Sequence, residues 1–242
     1  MGTVGGEIGL GRPRVHLRET ASTNDRAREL ASAGAPHGTL VTAASQTAGR
    51  GRQGRRWSAP ANSSLLMSLV LRSPPPLLPL LAAVAVCDIA GEDALVKWPN
   101  DVVLRRSDPA HPLVKLAGIL AEGRPQAGWA VLGIGVNVAV RVEDLPIELR
   151  SGAATLGHSP KEIEPTLERL LAALQRRLGE PAQATLDAWR SRDALHGREI
   201  AWGSAGRGHA QGIDEAGRLI VALAAGGHTT LDAGEVHLQT IG

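Results

Sequence analysis

Between Gln46 and Trp57 the chain reads Gln46-Thr47-Ala48-Gly49-Arg50-Gly51-Arg52-Gln53-Gly54-Arg55-Arg56-Trp57, with four arginines and three glycines in the eight residues from Gly49 to Arg56. Glycine lets a backbone close around something small, and arginine supplies permanent charge and a forked set of donors for phosphate or carboxylate. Such a loop suits a small anionic ligand, or a reaction that builds negative charge. The alternative is a solvated basic hairpin or a nucleic-acid contact. Against that stands the alternation of arginine with glycine, which frees the backbone to wrap a ligand rather than lie flat on a duplex. The stretch also matches Gly-x-Gly-x-x-Gly, but a dinucleotide fingerprint must join a strand to a helix. Here a strand-like run follows, so no dinucleotide is expected.

Two further segments carry polar groups between apolar runs: Lys97-Trp98-Pro99-Asn100-Asp101 and Lys115-Leu116-Ala117-Gly118-Ile119-Leu120-Ala121-Glu122. Trp-Pro-Asn-Asp is turn chemistry, where Asn and Asp are ordinarily structural. Lys115 shares a strand face with Ala117 and Ile119, where an ammonium either snorkels from the strand end or meets an anion. Ser22-x-x-Asp25 reads as a helix N-cap. The single cysteine, Cys87, lies in an apolar helical run and reads as core. Eight histidines show no close ligand spacing, so no zinc site is expected.

These residues must be positioned by elements that the periodicity locates. Strands are predicted at Arg14–Leu17, Thr39–Ala44, Ser64–Leu71, Leu95–Trp98, Val102–Leu104, Val114–Glu122 and Gly128–Val140. Helices are predicted from Asn24 to about Ala33, Leu77 to Ala90, Ile163 to Leu178 and Pro181 to Leu195. The last helical face but one is marked by Leu167, Leu170, Leu171, Leu174 and Leu178. Five short strands then follow in under 50 residues: Glu199–Trp202, His209–Ile213, Leu219–Ala222, Thr229–Leu231 and Val236–Leu238. Their density predicts a small β-barrel. The expected organisation is a flexible tail at 1–13, a main domain at 14–195 and a β-domain at 196–242.

Composition is that of an ordinary globular chain of 242 residues, 43% hydrophobic and 21% charged with net charge +2, so nothing demands a polyanionic partner. No apolar run is long enough to span a membrane and no signal peptide is visible, so a cytoplasmic location is expected. The chain has no Phe and no Tyr, which leaves Trp57, Trp98, Trp129, Trp189 and Trp202 as its aromatic groups. Trp57 and Trp98 are candidates for ligand contact or for core.

Ser22-Thr23-Asn24, Gln46-x-x-Gly49-Arg50-Gly51-Arg52-x-Gly54-Arg55-x-Trp57, Lys97-Trp98-Pro99-Asn100-Asp101, Lys115-Leu116-Ala117-Gly118-Ile119-Leu120-x-Glu122 and Gly133-x-Gly135-x-Asn137 follow one another in the order and approximate spacing of the biotin–protein ligases. The resemblance is close from Val15 to Val140. It implies an α+β fold: a mixed-sheet catalytic domain like that of the class II aminoacyl-tRNA synthetases, followed by an SH3-like β-barrel. It also implies a two-step reaction, in which biotin and MgATP give biotinyl-5′-AMP, and the acyl group then passes to a lysine of a biotin carboxyl carrier domain.

The resemblance implies roles for individual residues. Ser22, Thr23, Asn24 and Gln46 would meet the ureido end of biotin. Arg50, Gly51 and Arg52 would hold its carboxylate and then the mixed-anhydride phosphate. Lys115 would bridge carboxyl and α-phosphate, with Arg50 and Asp101 as the other catalytic groups. Arg55, Trp57, Asn100, Asp101 and Asn137 would line the nucleotide side, and Asp101 would be the magnesium residue. Some relatives carry an N-terminal DNA-binding domain. About 13 residues precede the first strand here, so no DNA binding is expected, and the chain is expected to be a monomer or weak homodimer. Two other readings stay open: a lipoate or octanoate ligase or transferase, and a non-catalytic sensor of biotin or its adenylate.

Overall fold

The computed structural model describes residues 9–108, 110–232 and 236–238. Its larger sheet is built from β1 (Arg14–Leu17), β2 (Leu40–Ala43), β3 (Ser64–Arg72), β4 (Ala94–Lys97), β5 (Asp101–Arg105), β6 (Leu113–Arg124) and β7 (Trp129–Asn137). The strand order is β1-β2-β3-β7-β6-β5-β4; β1 and β2 run parallel and every other neighbour antiparallel. The mixed α+β sheet expected for the main domain is therefore present.

β3 is buried along nearly its whole length because both faces of the sheet are covered. On one face α1 (Thr23–Ser32) sets Ala27 and Ala31 against Val41, Val70, Trp129 and Val131. On the other, α2 (Leu78–Ala90) lies between the sheet and two later helices, α4 (Ile163–Leu178) and α5 (Ala182–Arg190). That position explains why α2 is apolar all round, with Leu80 through Cys87 all buried. Burial pushes the Cys87 thiol up to about 12, which keeps it an inert core group. A one-turn helix, α3 (Ile147–Arg150), lies between β7 and α4.

Helix α5 stops at Arg190 rather than at Leu195 because the chain beyond it pairs with β4. Val96 N donates to Arg192 O at 2.7 Å and Ala194 N donates to Val96 O at 3.0 Å. Of the expected N-terminal tail, residues 9–13 are docked: Gly11 N donates to Gly38 O at 2.9 Å, and Leu10 packs on the core. Residues 1–8 lie outside the described residues.

The C-terminal strands β8 (Glu199–Trp202), β9 (Gly206–Ile213), β10 (Leu219–Ala222), β11 (His228–Leu231) and β12 (Val236–Leu238) form an antiparallel sheet in the order β11-β10-β9-β8-β12. The expected SH3-like barrel is not formed. Among the described residues the sheet is open, with β11 and β12 as unjoined edges. Its apolar face is closed by the rest of the molecule instead. Ile200, Ala210, Ile213, Leu219, Val221 and Val236 belong to the same hydrophobic cluster as α2 and α5. Trp98 is buried at this junction and donates its Nε1–H to Gly217 O at 3.0 Å. No helix among the described residues is long and apolar enough to cross a membrane.

Candidate functional site

One cleft, over the middle of β6 and β7, is lined by every candidate residue of the sequence except Asn137. Its floor is backbone. Gly118 and Gly135 face each other across β6 and β7, and the Trp57 indole lies on them. A Cβ at Gly135 would stand 2.6 Å from Trp57 Cε2, and one at Gly118 would stand 3.0 Å from Trp57 Cζ3. Only glycine at both positions leaves a flat shelf wide enough for an aromatic ring. Trp57 Nε1 is buried and finds no acceptor among the described residues.

The arginine loop forms the lid of the cleft. It folds back on itself through Gly51 N to Arg55 O at 2.8 Å and Trp57 N to Gly49 O at 2.9 Å. Its tip is a single 3₁₀ turn over Arg52–Gly54, where Gly54 takes φ +75°. The loop then runs on toward β3, so no helix N-terminus meets it.

The polar wall comes from the start of α1. Ser22 has the extended backbone of an N-cap, but its side chain makes no capping bond, contrary to the capping reading. Thr23 donates to Gln46 Oε1 twice, from its N–H at 2.7 Å and its hydroxyl at 3.1 Å. Behind them the Ser68 hydroxyl donates to Asn24 Oδ1 at 2.6 Å and lies 2.8 Å from Thr23 Oγ1. Asn24 donates to Glu122 Oε2 at 2.9 Å. Sequence reasoning missed Ser68; the signal was one hydroxyl inside the apolar run Leu65–Leu71.

At the other end the cleft is strongly cationic. Arg50, Arg52, Arg55, Arg56, Lys97 and Lys115 line it, against the single carboxylate of Asp101. Lys115 Nζ stands 2.7 Å from Asp101 Oδ1 and 5.7 Å from the Trp57 ring centroid. Burial lowers the pKa of the Arg52 guanidinium, with Asp101 opposing; Arg52 donates to Asn100 Oδ1 at 3.5 Å. Burial also depresses Lys97; Asp101 opposes this, while Lys115 and Arg55 add to it. Lys97 was named within its motif but given no role; it is the site's second lysine. Desolvated cations held close together are an arrangement that an anion relieves.

Backbone pairing fixes Lys115. Its N–H donates to Gly152 O at 2.6 Å and its carbonyl accepts from Ala154 N at 2.8 Å. Asn137 stands behind this segment rather than in the cleft: Nδ2 donates to Ala154 O at 2.8 Å and Oδ1 accepts from Ser64 at 3.3 Å. Asn100 likewise ties strands, its Nδ2 donating to Ile119 O at 2.9 Å.

Among the described residues no three His, Cys, Asp or Glu side chains converge as a metal site. The donor set offers at most the Asp101 carboxylate. That fits a magnesium ion carried mainly by substrate phosphates and water, since Mg²⁺ commonly keeps several waters and only one or two carboxylates.

The profile described as the Biotin/lipoate A/B protein ligase family matches residues 17–138, and that of the Biotin protein ligase C terminal domain matches residues 203–238. The bifunctional ligase/repressor BirA of Bacillus spizizenii is 38% identical over 165 residues, covering 63% of this chain and 49% of that protein. The chain thus spans about half the length of that relative. The biotin–[acetyl-CoA-carboxylase] ligase of Mycobacterium tuberculosis is 35% identical over 247 residues, covering 92% of this chain and 88% of its own. Among solved structures, the biotin protein ligase from Aquifex aeolicus in complex with biotin and ATP superposes with a TM-score of 0.75 at 26% identity, covering 95% of this chain and 99% of that one.

Proposed function

The chain belongs to the biotin/lipoate A/B protein ligase family, and from that membership we propose that it is an ATP-dependent biotin–protein ligase. The observation that carries this reading is the cleft itself, with a polar wall at one end, a glycine shelf in the middle and six cations around one carboxylate at the other. A carboxylate and a triphosphate repel each other, and fixed positive charge lowers the cost of bringing them together.

In this reading Thr23 and Gln46, already bonded to one another, present the wall that recognises the ureido ring, with Ser22 beside them. Arg52, Lys97 and Lys115 receive the carboxylate and the α-phosphate. A carboxylate oxygen attacks the α-phosphorus, the bond to the bridging oxygen breaks, and pyrophosphate leaves with its pair of electrons. An acceptor lysine amine then attacks the acyl carbon of biotinyl-5′-AMP. AMP departs from that carbon, and the amine proton is released, with Asp101 as the carboxylate lining the cleft that could take it up. A magnesium ion would be held mainly by the ATP phosphates and water, with Asp101 as the one cleft carboxylate that could take part, and it would neutralise phosphate charge. Asn100, Arg55 and Trp57 border the nucleotide, and Asn137 supports Lys115 through the 152–154 segment. Residues 14–195 form the catalytic unit, and the unit from 196 onward reaches the cleft through Val236. The acceptor is a biotin carboxyl carrier domain.

Mass spectrometry of the protein incubated with MgATP, biotin and a carrier domain, beside lipoate controls, tests this. Biotinyl-AMP and a carrier heavier by one biotin are expected. Lipoyl transfer without biotin transfer moves the chain to the other branch of its family, and binding without adenylate makes it a sensor.

The depressed Lys97 pKa has a kinetic consequence. The free amine of a lysine shifted downward forms at a lower pH than usual, so a cation needed for adenylate formation is lost early as pH rises. Biotin-dependent pyrophosphate release, which does not involve the acceptor amine, is expected to decline on its alkaline side below the ordinary lysine range. In Lys97→Arg that decline moves to higher pH. An alkaline limb that stays in place in Lys97→Arg removes Lys97 from the charge balance.

A further inference from the structure

Beside the cleft, on the surface of α1 and β6, two arginines and two carboxylates close a ring. Asp25 Oδ1 accepts from Arg50 Nη1 at 2.6 Å and stands 3.2 Å from Arg28 Nη2. Glu122 Oε1 accepts from Arg50 Nη2 at 2.9 Å and stands 3.5 Å from Arg28 Nη1. The remaining oxygen of Glu122 holds Asn24, itself bonded to Ser68. The ring therefore joins the first arginine of the lid, the first turn of α1 and the buried polar wall.

We propose that Asp25 and Glu122 are positioning residues for the lid, acting through Arg50. Both terminal nitrogens of Arg50 are committed to protein carboxylates, one to Asp25 and one to Glu122, so the planar guanidinium is fixed in direction as well as distance by two charge-assisted hydrogen bonds. Its pKa is raised, first by the hydrogen bond to Asp25 and then by the charge of Glu122, with burial opposing. Arg52, two residues on, has no ion pair with a carboxylate among the described residues, and burial lowers its pKa. The two arginines divide the work. Arg50, for which the resemblance implied a hold on the carboxylate, instead anchors the loop from the rim of the cleft, and the anchor sets where Gly51, Arg52 and Trp57 meet the ligand. Arg28 completes the ring and keeps both carboxylates facing the loop. This rests on the ligase reading for its kinetic consequence but not for its structural one.

Asp25→Asn and Glu122→Gln, singly and together, separate the two. The amides of Gly51 and Trp57 hold the loop's fold-back onto Arg55 and Gly49, and a loop released from its anchor at Arg50 loses that local structure more often. Their hydrogen exchange is expected to quicken by about tenfold in the double variant. Asp25→Glu, which keeps the charge, is expected to retain wild-type protection. Asp25 lies on the surface, so its single variant reads the anchor even if Glu122→Gln, which also touches Asn24, unfolds. For adenylate formation, the lost ordering must be recovered on binding, so KM for biotin is expected to rise about tenfold while kcat changes less than twofold. Wild-type exchange at Gly51 and Trp57 in the double variant overturns the proposal. So does a fall in KM, which would mean that the carboxylates compete with the substrate for Arg50. Exchange that quickens in a protein that makes no adenylate would keep the anchor and dismiss the ligase.

Discussion

Lys115→Ala is expected to lower the rate of biotinyl-adenylate formation by roughly 10²–10³-fold, the loss seen when one preorganised charge-stabilising donor is removed from a site. The variant is expected to fold, because the Lys115 side chain is 39% exposed and its strand is held by the backbone bonds of β6. What changes is the balance of charge at the point where two anions meet. With the ammonium gone, the Asp101 carboxylate 2.7 Å away loses its only ion-pair partner among the described residues and faces the incoming phosphate directly. Lys115→Arg does not restore the rate. A planar guanidinium spreads its charge over a fork that pairs with Asp101 and stacks on Trp57, so it does not present the compact point charge of the ammonium to the reacting anions. Single-turnover formation of the adenylate, followed by quench and mass spectrometry, reads this step apart from transfer. A wild-type rate in Lys115→Ala would remove Lys115 from the chemistry and leave the cationic cleft without its central group.

Much of this site could be read from the chain, because its residues cluster in short local motifs. The glycine and arginine pattern of 49–56 announced a loop that closes around something anionic, and the apolar runs located every strand of the larger sheet to within a residue or three. What escaped was set by distant partners. Helix α5 ends early because 192–194 bond to Val96, nearly a hundred residues upstream, and no local stop signal marks that point. The barrel expected from five short strands is an open sheet because α2, α5 and Trp98 cover its apolar face, a surface that strand spacing does not reveal. Asn137 belongs to the Gly-x-Gly-x-Asn motif, yet it supports the site from behind, since its two amide ends are taken by Ser64 and Ala154. Ser22 kept the backbone of a cap without its bond. Asp25 is legible only as the partner of Ser22 in a capping pattern and Arg28 carries no signal of its own, because the fold alone brings Arg50 and Glu122 against them.

The second large effect is expected at Gly133, in the middle of β7. Its neighbours across the sheet are Ser68 on β3 and Leu120 on β6. The missing side chain leaves a slot into which Asn24 descends from α1; a Cβ there would stand 2.0 Å from Asn24 Oδ1 and 2.8 Å from Asn24 Cγ. Neither strand can withdraw, because β7 is hydrogen-bonded on both sides, so Gly133→Ala must expel Asn24. That breaks the bonds from Ser68 and to Glu122 together and leaves buried polar groups unmatched, at about 1–3 kcal/mol for each. A total loss of about 3 kcal/mol corresponds to a fall in melting temperature of roughly 6–12 °C for a chain of this size. Because Asn24 follows Thr23 directly, the displaced turn also carries the Thr23–Gln46 pair away from the cleft, and biotin binding is expected to weaken with stability. Asn24→Ala provides the control. Alone it is destabilising, since it empties the slot and abandons Ser68 and Glu122. Combined with Gly133→Ala it removes the clash, so the double variant is expected to be more stable than the sum of the single losses allows. If the two losses simply add, or if Gly133→Ala melts with the wild type, Asn24 does not occupy the slot and the polar wall is held by something else.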